Sequence, residues 1–116
     1  MRRGDIHLVD FEPARGAEPN KVRPAVVVGN DANNVVAERL GHGVITVVGV
    51  TSNISHVGHF QVLLPAAETG LRRDSKAQAE HIRAVDVRRI GRRVGSVPDD
   101  LMAEVDEALR IHLDLG

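Results

Sequence analysis

Arg23 is followed by Pro24 and then by the apolar run 25-AVVVG-29. A guanidinium stays charged at any physiological pH, and its planar fork of donors matches a phosphate. Pro24 fixes its own φ and keeps the residue before it extended, so Arg23 is presented from a stiff backbone. Held this way, an arginine can meet an anion; it can equally pair with an acid at a strand end, and spacing alone leaves both open. Thr51-Ser52-Asn53 follows the most apolar run of the chain, 44-VITVVGV-50. The end of a central strand is a rigid base from which to aim hydroxyl and amide groups. The same three residue types also close turns by bonding to their own backbone.

The other groups with chemical potential are less organised. Of the six histidines, His56 and His59 stand three apart in a polar stretch with no third ligand near in sequence. That is a weak signal for a metal site. A metal-dependent hydrolase built on the histidines is the least favoured reading. Ser75 follows Asp74 and opens a basic segment, where it can donate to a phosphate or simply begin a strand. The chain has no cysteine, which removes thiolate catalysis, thiolate-bound zinc and disulfides. No H-E-x-x-H, P-loop or G-x-G-x-x-G is present.

The elements that must position these groups are short strands. Asp5 to Phe11, Pro24 to Gly29, Val44 to Val50, Phe60 to Leu64 and Ser75 to Arg83 carry strand patterns, with a last one from Gly91 to Val97. The stretch 12–21, with two prolines, reads as a loop long enough to have a role. Residues 30–43 read mostly as loop, 66–74 as a connection, and Asp86 to Ile90 as a single helical turn. The period then changes. Leu101, Met102, Val105, Ala108, Leu109 and Leu113 fall on one helical stripe, with Ser96 and Asp99 resembling a capping box. The expectation is one domain over residues 1–116, mainly β: a small barrel or sandwich with a C-terminal amphipathic helix across it.

Bulk composition narrows the classes further. No apolar run approaches the ~20 residues that span a bilayer, and the start, interrupted by Asp5 and Asp10, does not read as a signal peptide. A cytoplasmic location is the expectation. The net charge is −1, yet residues 71–93 hold eight basic side chains against three acids, while residues 97–116 hold six acids and one arginine. A local basic surface serves a polyanion even in a near-neutral protein. With two phenylalanines and no tyrosine or tryptophan, base stacking on an aromatic platform is disfavoured.

Five segments in order, 3-RGDIHLVDFEPARG-16, 22-VRPAVVV-28, 51-TSN-53, 74-DSKAQAEHIRAVD-86 and 100-DLMAEVDEALRIHL-113, resemble the MazF/PemK toxin family over essentially the whole chain. The resemblance implies an SH3-like barrel with a C-terminal helix, a homodimer, and metal-independent, sequence-specific cleavage of single-stranded RNA with no cofactor. It implies Arg23 and Thr51 as catalytic residues. Asn20, Lys21, Ser52, Asn53, Ser75, Lys76, Glu80 and His81 become candidates for RNA contacts. The expected products are a 2′,3′-cyclic phosphate and a 5′-hydroxyl end. A cognate MazE-like antitoxin is expected to lay a flexible acidic segment against the basic strands. One departure stands out: the family commonly has Glu-Gln-Ile-Arg where this chain has 80-EHIR-83, and a neutral histidine offers fewer hydrogen-bonding groups than glutamine. The rival reading is a non-catalytic SH3-like module, or a toxin of that barrel type that binds a protein target such as gyrase. The lack of an aromatic groove counts against it.

Overall fold

The computed structural model describes residues 1–12 and 21–116. The order of elements is β1 (Asp5–Glu12), β2 (Lys21–Val27), α1 (Asp31–Leu40), β3 (Val44–Thr51), β4 (Gln61–Leu64), α2 (Ala66–Thr69), β5 (Ser75–Asp86), a 3₁₀ turn (Val87–Arg89), β6 (Ile90–Ser96) and α3 (Asp99–His112). The strands form one antiparallel sheet in the order β4-β5-β3-β2-β1-β6.

The barrel expected from sequence is not closed, because no ladder joins β4 to β6. The sheet curls until the two edges nearly meet. The Thr69 carbonyl oxygen, just beyond β4, lies 2.5 Å from where a Cβ would stand on Gly95 of β6. Only glycine lets the two backbones approach that closely.

The curl encloses one core and leaves another outside. Ile6, Val26, Val28, Val48, Val50, Val62, Leu64 and Ala77 face inward and meet Leu101, Met102, Val105, Ala108 and Leu109 of α3. Residues of opposite parity on β1, β2 and β3, namely Val9, Ala25, Val27, Ile45 and Val47, form a second buried cluster with Ala37 of α1 and with Val85, which lies past the β5 pairing irregularity. Both faces of the central strands are therefore apolar, which is why 44–50 reads as a continuous hydrophobic run.

The segment 30–43 departs from its expected loop. Asn30 caps α1, its side chain accepting from the Asn33 N–H at 3.0 Å, and Gly41 ends the helix in the left-handed region with φ 66°. Asp31 sits in the first turn and accepts from the Arg3 backbone N–H at 2.7 Å. That bond above all, with the Asn34 amide and the nearby Arg2 and Arg3 charges, holds its carboxyl below the usual range against the opposing cost of desolvation. Residues 66–74 likewise contain the four-residue α2.

The expected capping box at Ser96 is absent: Ser96 belongs to β6, and Pro98 occupies the position before α3 without a side-chain cap. Proline's fixed φ starts the helix, and Asp99 and Asp100 supply the acids its first turn favours. The fifth strand runs three residues beyond its expected end at Arg83. The helical turn expected near 86–90 is present as the 3₁₀ turn, where Asp86 accepts from the backbone and guanidinium of Arg88; those bonds hold its carboxyl far below the usual range.

Candidate active site

Arg23 and Thr51 lie 28 positions apart in the chain, on the neighbouring strands β2 and β3. β2 and β3 pair antiparallel through Val27↔Val47, Val26↔Val48 and Ala25↔Gly49. Continuing that register by two residues sets Arg23 opposite Thr51. The ladder stops at Ala25, next to a proline that has no N–H to give. Side chains alternate along a strand. Arg23 and Thr51 therefore share the face of Ala25 and Val47, at the open end of the outer apolar cluster.

Arg23 lines a cleft of about 270 Å³ together with Phe11, Lys21, Pro24, Gly49, Val50, Gln78, His81 and Arg83. Arg83 stacks its guanidinium over the Phe11 ring, 5.0 Å from the centroid. Such a contact orients a cation without neutralising it. Among the described residues, none of those lining the cleft is an acid.

His81 reaches this cleft through an irregularity. β5 pairs with β3 as Val48↔Ile82 and then as Gly49↔Gln78, so residues 79–81 have no partner on β3. Ala79 turns inward, Glu80 turns toward β4, and the His81 Cβ comes to 3.5 Å from where a Cβ would stand on Gly49. Bulges of this kind re-aim side chains next to sites.

A second depression, about 660 Å³, lies on the other side of Pro24. Arg72, Arg73, Arg92 and Arg93 line it with Ser52 and Ser75. Pro24 borders both cavities. Thr51 stands between Val50, which borders the first, and Ser52, which borders the second. Its Oγ1 accepts from the Asn53 N–H at 3.2 Å, which leaves the hydroxyl proton to donate elsewhere. Asn53 Oδ1 accepts from the N–H and hydroxyl of Ser55 at 3.3 and 2.9 Å, so this amide also shapes the turn.

The remaining expected contacts divide. Lys21 lines the cleft, while Asn20 lies outside the described residues. Ser52 and Asn53 are exposed beside Thr51. Ser75 is buried, and its hydroxyl donates to the Arg73 carbonyl at 3.0 Å. Lys76 is only 8% exposed, and its ammonium donates to the His56 carbonyl. Glu80 accepts from the Gln61 amide at 2.7 Å, and Gln61 in turn accepts from the Gly58 N–H at 2.9 Å. Lys76 and Glu80 thus tie down the segment 56–61 through these bonds.

Sequence reasoning missed Phe11, Gln78 and Arg83 as cleft residues. Arg83 stood in the basic run 71–93 and at the end of 80-EHIR-83 without being singled out. Among the described residues, no group of three histidines or acids is arranged to hold a metal. No described helix is long and apolar enough to cross a membrane.

Comparison with known proteins gives a consistent result. A family model described as PemK-like, MazF-like toxin of type II toxin–antitoxin system matches residues 2–113. Endoribonuclease MazF9 of Mycobacterium tuberculosis is 59% identical over 115 residues, covering 99% of this chain and 98% of the relative. Among solved structures, the MazE-MazF complex (Form-II) of Deinococcus radiodurans aligns with TM-score 0.78 at 30% identity, over 98% of this chain and 96% of that one. Toxin MazF-mt6 of Mycobacterium tuberculosis shares the fold, with TM-score 0.75 at 20% identity over 97% and 98% of the two chains.

Proposed function

Because the chain belongs to the PemK-like, MazF-like toxin family of type II toxin–antitoxin systems, we propose that it is an endoribonuclease. It cuts single-stranded RNA sequence-specifically, without a metal, and a cognate antitoxin restrains it. What supports this reading is the cleft lined by Lys21, Arg23 and Arg83, with no acid among its described lining residues, next to the end of β3 that bears Thr51.

RNA carries its own nucleophile. The ribose 2′-oxygen attacks the adjacent phosphorus and gives up its proton as the bond forms. The bond from phosphorus to the 5′-oxygen breaks, and that oxygen takes up a proton. The products are a 2′,3′-cyclic phosphate and a 5′-hydroxyl end. What the protein must supply is alignment and a home for the charge that grows on the phosphoryl oxygens. Arg23 gives that charge a bidentate partner. Thr51 Oγ1, with its proton free, donates to the same phosphate and orients it. Ser52, Asn53, Lys21 and His81 then contact the flanking nucleotides. With Phe11 occupied by Arg83, bases are read by hydrogen bonds and shape.

The protein acts as a homodimer in the cytoplasm, and the antitoxin sets an acidic segment against the basic strands in place of RNA. The decisive experiment is cleavage of a long single-stranded RNA in EDTA, with the new ends sequenced. Arg23→Ala and Thr51→Ala are expected to fold and to lose cleavage. A fully active Arg23→Ala enzyme, or activity abolished by chelation, would remove the assignment. Target binding with no RNA cut by the wild type would point to the non-catalytic reading instead.

A further inference from the structure

The second depression is the larger of the two, and of its lining only Ser52 enters the reading above. Its walls carry four guanidinium groups. Arg72 and Arg73 come from the turn between α2 and β5, and Arg92 and Arg93 from β6. Elements at opposite ends of the sheet order thus converge on one cavity, because the sheet curls until its edges nearly meet.

The charges there are poorly compensated. Arg93 lies 3.7 Å from Asp5 and donates to the Gly95 carbonyl at a long 3.4 Å. Arg72, Arg73 and Arg92 are exposed and have no acid bonded to their guanidinium groups among the described residues. No acid lines the cavity among those residues. Four like charges around one depression repel one another, a cost that a bound anion relieves. The folded chain keeps that arrangement at a place where Pro24 and the Thr51–Ser52 step join it to the catalytic cleft.

We propose that the Arg72–Arg73–Arg92–Arg93 cavity is a second phosphate-binding subsite for the RNA strand being cut, gripping nucleotides on one side of the scissile bond. The inference rests on the nuclease reading for the strand's identity and goes beyond it in placing the strand. The RNA crosses the Pro24 ridge from one face of the sheet to the other. Its backbone meets Arg23 and Arg83 before the ridge and the four arginines after it. Short oligonucleotides fill only the catalytic cleft, and longer ones engage both. The affinity of this cavity is electrostatic and indifferent to base identity.

The test is fluorescence anisotropy with mixed-sequence 2′-O-methyl RNA, which lacks the nucleophile, at lengths of about 5 and 15 nucleotides. Both are titrated against wild type and the exposed-site variant Arg72→Gln/Arg92→Gln over a range of salt. The expected result is a loss of roughly tenfold or more for the 15-mer and a smaller one for the 5-mer. The slope of log affinity against log salt should become shallower by about 0.7 for each phosphate that the variant no longer neutralises. Equal losses at both lengths, parallel salt lines, or no wild-type affinity for the 15-mer would overturn the subsite. So would a variant that loses affinity for an oligo-glutamate peptide but keeps it for RNA, which would make this a site for an acidic polypeptide. Cleavage of long RNA by the wild type is read alongside. A wild type that binds as expected but never cuts would sink the nuclease reading and leave the subsite standing.

Discussion

At the scale of single residues, the proposed site separates groups assigned to a phosphate from groups bonded within the frame. Arg23→Ala should reduce cleavage by roughly 10²–10³-fold, the usual consequence of removing one donor to developing charge. Its circular dichroism should match the wild type, because Arg23 is exposed and lies beyond the β2–β3 ladder. Thr51→Ser should keep most activity and Thr51→Val should not, since only the serine still donates. Lys76 belongs to the frame. Lys76→Ala deletes its bond to the His56 carbonyl and should cost about 1–2 kcal/mol in chemical denaturation. Amide exchange should speed up around 54–58, and unchanged protection there would show that the anchor is unimportant. The strand ends that carry Arg23 and Thr51 were legible from local signatures, a proline before an apolar run and a polar cluster after one, while their proposed roles came from the family resemblance. Phe11, Arg83 and the burial of Lys76 were not legible. Each depends on a register and on a shift in β5 pairing that no local pattern encodes.

Among the elements, the strands were the easiest to read and α1 the hardest. The helix buries only Asn34 and Ala37, so it lacks the apolar stripe that marked α3. Its caps were the signal that could have found it: Asn30 and Asp31 before the run, Arg39 and Gly41 after it. Two outcomes follow. Asn30→Ala should lower stability by about 1 kcal/mol. Asp31 has its carboxyl held below the usual range, chiefly by the Arg3 N–H. A depressed folded pKa means that its stabilisation is present above the ordinary carboxylate pKa and is lost as the pH falls below about 4. Thermal melts of Asp31→Asn should therefore lie below wild type near neutrality and converge on it in acid. Parallel curves at all pH values would contradict this. The open edge is equally specific. Gly95→Ala sets a methyl against the Thr69 carbonyl oxygen and should destabilise by about 1–3 kcal/mol, because a backbone atom must give way.

For the whole molecule, apolar surface remains uncovered. Ile111, Leu113 and Leu115 near the C-terminus and Val35, Val36 and Leu40 on α1 are all exposed in the single chain. Their exposure leaves apolar surface that the proposed homodimer would cover. Light scattering should give twice the 12.6 kDa chain mass at micromolar concentration. A monomer throughout the accessible concentration range would refute the dimer and restrict any RNA track to one chain.

The near-contact of Thr69 with Gly95 makes the arginine cavity a product of folding at long range. The chain must bring its sixth strand round to its fourth before Arg92 and Arg93 can stand opposite Arg72 and Arg73. A nascent or loosened toxin would hold these cations apart and grip a polyanion weakly, whatever the state of the proposed Arg23–Thr51 site. Full hold on a long strand would arrive only when the last seam of the sheet draws shut.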